Sequence, residues 1–174
     1  LVIAGIGVIP NDDLARAAVL TCGGGIHVDA HARTSDPDIV AAGDCTWHFN
    51  AYLGRALRLE SVQNAVDQAK VAAATLCDLE ETYHQVPWFW SDQYEAKLQM
   101  AGIGQPADEA VVRGQPAADN FAVFYLRAGR LVGADTVNRA AEHMACRKLL
   151  AQGATVTPAE LADEGFDLMQ RART

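Results

Sequence analysis

Residues 34–44 read TSDPDIVAAGD, in which a short apolar run leads into Gly43 and Asp44. The run IVAA at 39–42 predicts a buried strand of a parallel sheet, because such strands are covered on both faces. A glycine lets the backbone pass close to a ligand, and the aspartate would lie at the strand's carboxyl end, where open α/β sheets bind ligands. A carboxylate offers acceptor oxygens only, which suits the hydroxyls of a ribose or ribityl chain. The stretch predicts a cofactor site, although a solvated turn aspartate is the alternative for Gly-Asp taken alone.

A helix is predicted from Ser61 to Leu76, in a segment that opens with ESVQNAVDQAK at 60–70. Small and apolar residues recur there at the helical spacing of three and four. Ser61 is a suitable N-cap, and the first-turn N–H groups have no acceptor within the helix. Together with the positive end of the helix dipole, they suit an oxygen that gains negative charge. An ordinary capped helix is the alternative.

An aromatic segment, PWFWSDQ, occupies residues 87–93. Side chains alternate along an extended chain, so Trp88 and Trp90 are predicted to face the same way. Two tryptophans of a buried core are the alternative to a functional pair.

The pattern changes near residue 86, which predicts a second domain. Strands are predicted at 96–100, 110–113, 121–126 and 130–137. A helix is expected from Ala140 until Gly153 ends it, and a last short helix starts with Thr157 and Pro158. Strands followed by helices, after an α/β portion, indicate an α+β domain of antiparallel strands and helices.

The first 25 residues predict a strand at 1–4, a turn at 5–7 and a short helix that is capped by Asp12 or Asp13 and runs to about Leu20. The CGGG stretch at 22–25 predicts a turn. A phosphate-binding loop is not expected there, because no Lys-Ser/Thr pair follows.

Composition restricts the function classes. The chain has 174 residues, half of them hydrophobic, and a net charge of −8 from 22 acidic and 14 basic side chains. No run of Lys and Arg is present, which argues against nucleic acid. No apolar stretch approaches the roughly 20 residues of a membrane span, and no charged segment precedes residues 1–4, so neither a membrane helix nor a signal peptide is predicted. A cytoplasmic protein is expected.

The four cysteines are scattered, at Cys22, Cys45, Cys77 and Cys146. No Cys-x-x-Cys pair occurs, which disfavours zinc, iron–sulfur and dithiol chemistry. Buried, inert thiols in a reducing compartment are the expectation.

The histidines do not predict a reactive site either. His27 and His31 lie in a strand and a turn rather than on one helix face, so a metal site is not expected. The neighbours Glu142 and His143 would point about 100° apart on a helix, so they are expected to be surface polar residues.

Four segments in this order, GIGVIPN at 5–11, TSDPDIVAAGD, ESVQNAVDQAK and PWFWSDQ, resemble one family. It is the FAD-dependent, NADH-oxidising ferredoxin reductases of bacterial oxygenase systems, which include putidaredoxin and rubredoxin reductases and the reductases of biphenyl-type dioxygenases. The resemblance runs from residue 1 to about 168. The family's two Gly-x-Gly-x-x-Gly fingerprints, for FAD and for NADH, are absent from the chain, and no Met opens it. The chain therefore resembles the carboxyl-terminal part of such a two-dinucleotide-binding-domain flavoprotein.

The resemblance implies three parts. Residues 1–11 would end the NADH-binding domain, 12–86 would form the carboxyl-terminal part of the FAD-binding domain, and 87–174 would be the α+β reductase domain. Reduced FAD would pass electrons directly, without a dithiol, to a small iron–sulfur protein. That partner would be a [2Fe–2S] or Rieske-type ferredoxin, or a rubredoxin.

The resemblance also assigns site residues. Gly43 and Asp44 would hold the ribityl hydroxyls of FAD, and Ser61 with the backbone of Val62 would face the pyrimidine edge of the flavin. The nicotinamide of NADH would arrive beside Gly5 and Glu60, which are proximity roles. Trp90 would lie between the flavin and the protein partner. No catalytic side chain and no metal ligand is predicted, since the cofactors carry the chemistry.

A second interpretation comes from another class of protein. Without either fingerprint, the chain on its own could be a non-catalytic interaction or dimerisation module that lacks FAD. The sequence leaves the oligomeric state open, a homodimer included, and it does not identify the ferredoxin.

Overall fold

The computed structural model describes residues 1–173, which divide into two compact units between His84 and Gln85. The first unit contains two helices, α1 (Asp13–Ala17) and α2 (Val62–Leu76). Its three-stranded sheet has the order β1 (Ile26–Val28), β2 (Thr46–Asn50), β3 (Arg55–Leu57). The β1–β2 pair is parallel and the β2–β3 pair is antiparallel.

Helix α2 is the main element of the first unit, and its start and length match the prediction. Ser61 is the N-cap, and its side chain accepts a hydrogen bond from the Asn64 backbone N–H. One face of the helix enters a core in which Val71 and Ala72 pack with Ala32 and Tyr83. The small side chains of this face allow the neighbouring segments to approach the helix closely.

The strand predicted at 39–42 is wrong. Only a single bridge joins Val40 to Arg33, and Ile39 is 38% exposed. The backbone folds into a turn instead, with the Ile39 N–H bonded to the Asp36 carbonyl. Pro37 favours this turn, because its ring fixes φ at the second position of the turn. The strand of this region, β2, starts only after Asp44 and was not predicted.

The strand predicted at 1–4 is also wrong, because residues 1–12 form neither helix nor strand. Leu1, Val2, Ile3 and Ile6 are all strongly exposed. Strand-forming residues need a neighbouring strand, and within residues 1–173 none pairs with this segment. Helix α1 ends at Ala17, a turn earlier than expected.

The second unit is an antiparallel sheet with helices, as predicted, but it has five strands, since the aromatic segment adds one to the four that were expected. The strands are β4 (Trp88–Gln93), β5 (Ala96–Gly102), β6 (Glu109–Gln115), β7 (Asn120–Arg127) and β8 (Arg130–Val137), in the order β4-β5-β8-β7-β6. The helices are α3 (Ala140–Gln152), α4 (Pro158–Ala162) and α5 (Leu168–Arg171), and a 3-10 turn spans Pro116–Ala118. The predicted succession of an α/β part and an α+β part is confirmed. The functional names given to the three parts stay a prediction.

Local signals set the helix ends in the second unit. Gly153 adopts a left-handed conformation, with φ of 62°, and ends α3. Thr157 and Glu160 form a capping box at the start of α4, with Pro158 in its first turn. The core lies between the sheet and α3, where Phe124 and Leu149 are fully buried.

Arg113 on β6 fastens the carboxyl-terminal segment to the sheet. Its buried guanidinium donates to the backbone carbonyls of Leu161, Asp163, Glu164 and Phe166. It also lies 3.6 Å from the Glu142 carboxylate. A charge taken out of water is tolerated only when such acceptors surround it.

The expectation that Glu142 and His143 are surface residues is wrong. Glu142 is largely covered and forms an ion pair of 2.8 Å with Arg139. His143 is 2% exposed, and its ring meets the Trp88 ring edge-on at 5.8 Å. Burial, together with the charge of Arg147, lowers the pKa of His143 to about 4. The two residues form no acid–base pair.

We predict that His143 makes the chain sensitive to acid. Its pKa is about 4 when folded and about 6.5 when unfolded, so the unfolded state binds the proton more readily. The free energy of unfolding should therefore fall by about 3 kcal/mol as the pH drops from 7 to 4. In His143→Leu this contribution should vanish, which urea titrations at both pH values would measure.

His48 in the first unit also has a pKa lowered by burial, so a residual pH dependence is expected in the variant. An equal stability difference between the His143→Leu protein and the unsubstituted chain at pH 7 and pH 4 would contradict the assignment.

Candidate functional site

Gly43 and Asp44 form a turn that leads directly into β2. Gly43 is buried with φ of 87°, a conformation that favours glycine. Asp44 is exposed, and its carboxylate makes no hydrogen bond or ion pair with any residue from 1 to 173. Because β2 begins after Asp44, the carboxylate precedes a strand rather than ending one, contrary to the sequence argument.

The start of α2 provides the second part of the site. Ser61 has an extended backbone and caps the Asn64 N–H. Val62, the first helical residue, is 61% exposed, and its N–H has no carbonyl partner within the helix. A 15-residue helix thus presents the positive end of its dipole beside an open amide.

The structure brings the Gly43 turn and helix α2 into contact. The Gly43 N–H donates to Gln68 Oε1 at 2.8 Å. A Cβ added at Gly43 would lie 3.5 Å from the Ala65 side chain, so the turn rests on the helix surface. Gly43, Asp44, Ser61 and Val62 therefore belong to one continuous region of the first unit.

Arg58 links the segment before α2 to the start of the chain. Its guanidinium forms an ion pair of 2.8 Å with Glu60 and donates to the Val8 carbonyl at 3.3 Å. Glu60 is exposed. Gly5 is also exposed, and a Cβ added there would meet nothing within 4 Å beyond its chain neighbours. Gly5 and Glu60 are therefore joined only indirectly, through Arg58.

Trp90 lies in the second unit, on strand β4. As predicted, Trp88 and Trp90 face the same way, and their rings stack with centroids 5.6 Å apart. Trp88 packs against Arg147, whose guanidinium carbon is 4.1 Å from the ring centroid. Trp90 is 45% exposed, so it is not a core tryptophan.

The cysteines only partly match the expectation. All four are unpaired, but only Cys146 is buried, and its pKa is raised by desolvation. Cys77 is exposed at the end of α2. No group of His, Cys, Asp and Glu within residues 1–173 could hold a metal ion. No helix in the same range is long and apolar enough to cross a membrane.

The polar residues that join the Gly43 turn to helix α2 were not predicted from the sequence. Asn64, Gln68, Thr46 and His48 are all buried. A local signal existed only for the two on α2, since Asn64 and Gln68 are four residues apart and share one face of an otherwise alanine-rich helix. A polar side chain on such a packed face normally has a specific hydrogen-bond partner.

Comparison with known proteins places both units in one class. Residues 1–69 match the family model described as pyridine nucleotide-disulphide oxidoreductase, and residues 88–172 match the model described as reductase C-terminal. Together the two matches cover most of both compact units. The matched regions therefore assign both units to oxidoreductases that use pyridine nucleotides.

Individual relatives are ferredoxin reductases. The chain is 48% identical to rhodocoxin reductase of Rhodococcus erythropolis over 167 residues, which are 96% of the chain and 39% of the relative. It is 44% identical to putidaredoxin reductase of Pseudomonas putida over 170 residues, which are 98% of the chain and 40% of the relative. The chain thus spans about two fifths of the length of these curated relatives.

Two solved structures that resemble the chain are also ferredoxin reductases. A ferredoxin reductase for the CYP199A2 system of Rhodopseudomonas palustris matches with a TM-score of 0.92 and 46% identity, over 97% of this chain and 42% of that one. The covalent putidaredoxin reductase–putidaredoxin complex matches with a TM-score of 0.92 and 43% identity, over 99% and 42%. The chain belongs to the ferredoxin reductase family of pyridine nucleotide oxidoreductases.

Proposed function

We propose that this chain is part of an oxidoreductase that passes electrons from NADH through FAD to a small iron–sulfur protein, and that residues 43–44 and 60–62 hold the flavin. The observation that carries the proposal is the pairing of an exposed, unpartnered carboxylate with the open N-terminus of α2. The Gly43–Gln68 hydrogen bond holds the two together. The names of the relatives support the electron-transfer assignment.

The residues present suit the chemistry of FAD. Asp44 offers acceptor oxygens for the ribityl hydroxyls, and Gly43 lets the backbone approach. The Val62 N–H can donate to a flavin carbonyl, and the α2 dipole favours negative charge there. When bound, FAD supplies the conversion of a two-electron hydride into single electrons. The side chains of this chain orient and enclose it, and no catalytic acid or base is required.

Glu60 and Gly5 are assigned to the nicotinamide side of the flavin. Both are exposed and therefore accessible to a dinucleotide. The Arg58–Glu60 ion pair fixes the carboxylate just before α2, and the Arg58 contact to Val8 holds the initial segment near it. These residues position the nicotinamide rather than react with it.

The protein partner is proposed to be a ferredoxin or rubredoxin that meets the chain beside Trp90. A half-exposed tryptophan is the type of residue that dominates protein interfaces. The relative captured with putidaredoxin supports an iron–sulfur partner. Four unpaired cysteines are compatible with a reducing, cytoplasmic location. The oligomeric state, a homodimer included, stays open.

We predict that the 174-residue chain purified alone does not oxidise NADH at an enzymatic rate. It contains no Gly-x-Gly-x-x-Gly loop to bind either pyrophosphate. The assay is NADH-dependent reduction of ferricyanide in the presence of added FAD. Rapid turnover would contradict the view that the chain supplies only part of the dinucleotide sites. Flavin absorbance retained after gel filtration would separate a flavin-binding unit from a module without FAD.

Asp44→Ala in the complete reductase tests the flavin assignment directly. Loss of charge-assisted acceptors should weaken FAD binding by about 1.5–3 kcal/mol, roughly 10- to 100-fold in Kd. Flavin occupancy after dialysis and FAD titration of the apoprotein measure the effect. Asp38→Ala, an exposed carboxylate in the preceding turn, serves as the control. Unchanged FAD affinity in Asp44→Ala would disprove the assignment.

Trp90→Ala tests the role assigned to the exposed tryptophan. Electron delivery to the protein partner, below saturation, should slow about 30-fold, because interface tryptophans commonly contribute about 2 kcal/mol. Reduction of ferricyanide should change much less, since a small acceptor has other routes. Stopped-flow rates with both acceptors give the comparison. Tyr94→Ala, a fully exposed aromatic at the end of β4, is the matched control. Equal losses with both acceptors would return Trp90 to a structural role.

A further inference from the structure

Gln68 occupies an unusual place for a polar side chain. It lies in the middle of α2 and is 1% exposed. An amide removed from water is costly unless each of its polar atoms finds a partner. An apolar residue would fill the same space without that requirement. The role of the amide must therefore lie in the groups to which it is hydrogen-bonded.

Those contacts converge on the Gly43 turn and on β2. Gln68 Oε1 accepts from the Gly43 N–H at 2.8 Å, and the Thr46 hydroxyl lies 2.8 Å from the same oxygen. Gln68 Nε2 lies 3.1 Å from His48 Nδ1. One side chain thus binds the residues on both sides of Asp44.

A second polar side chain extends this network to the start of α2. Asn64 Nδ2 donates to the Leu59 carbonyl at 3.0 Å and lies 3.4 Å from Gln68 Oε1. Asn64 also donates its backbone N–H to the cap, Ser61. The segment that enters the helix and the turn that carries Asp44 are therefore connected through Gln68.

We propose that Gln68 is a positioning residue for the flavin, which sets the placement of the Asp44 carboxylate relative to the Val62 amide. This inference rests on the proposed function. The Asp44 carboxylate makes no hydrogen bond or ion pair with the rest of residues 1–173, so its location depends on Gly43 and Thr46. Without an acceptor at position 68, the Gly43 N–H would be buried and unpaired, and the turn would relax toward water.

Three substitutions test the proposal in the complete, flavin-loaded reductase. Gln68→Met keeps the volume and removes the acceptor, so the Kd for FAD should rise tenfold or more. Gln68→Glu keeps an acceptor for Gly43 and can accept from His48, so it should restore the Kd to within about threefold. Val71→Ala removes packing from the apolar core beneath the same helix but leaves the Gly43 bond, so its Kd should stay near that of the unsubstituted protein.

Hydrogen exchange on the 174-residue chain supplies a readout that does not depend on FAD. The Gly43 amide should exchange at least tenfold faster in Gln68→Met than in Val71→Ala. Melting temperatures of the apoproteins control for a general loss of stability, which both variants are expected to share. Equal FAD affinities and equal Gly43 exchange in the two variants would overturn the proposal.

The FAD affinities of Asp44→Ala and Gln68→Met distinguish the flavin assignment from the positioning role of Gln68. If Asp44→Ala weakens FAD binding and Gln68→Met does not, only the positioning role is disproved. If neither substitution affects FAD binding while Gly43 exchange still accelerates in Gln68→Met, the flavin assignment fails and Gln68 merely stabilises the turn.

Discussion

The hydrogen bond from the Gly43 N–H to Gln68 Oε1 is the interaction on which the first unit depends. Its sheet has only three short strands, and the segment before β2 is a turn without a ladder. Such a segment has few backbone partners, so buried side chains must supply them. Gln68 does so across 25 residues of sequence and thereby joins the sheet to α2.

In the second unit, too, a segment without strand partners is held by a buried polar side chain, here a charged guanidinium rather than an amide. Arg113 gathers backbone carbonyls from the segment after α4, which has no ladder of its own. In both units one buried polar side chain, held on a regular element, organises an irregular segment. The two units differ in the groups that they expose on their surfaces. The first unit presents a free carboxylate and a free amide, whereas the second presents stacked tryptophans.

Features that depend on near neighbours in sequence could be predicted. The cap at Ser61, the cap at Thr157 and the stop at Gly153 each rest on contacts within a few residues. The antiparallel strands of the second unit followed from their alternation and turns. The strand at 39–42 failed because an apolar run is compatible with a strand, but a strand requires a partner elsewhere in the chain.

The same distinction between local and distant contacts decides which features of the candidate site could be predicted. The open helix start was readable from local sequence, and so was the shared orientation of Trp88 and Trp90. The Gln68 network was not, because its partners lie 20 to 25 residues away in sequence. His143 was misjudged although the signal was local, since its spacing of three and seven residues from Cys146 and Leu150 places it on the buried face of α3.

The exposed apolar segment at 1–9 has a practical consequence for the isolated chain. Leu1, Val2, Ile3 and Ile6 combine strand-forming side chains with backbone groups that no strand within residues 1–173 satisfies. Edges of this kind pair readily with another copy. We therefore expect self-association of the isolated chain at high concentration to start at these residues.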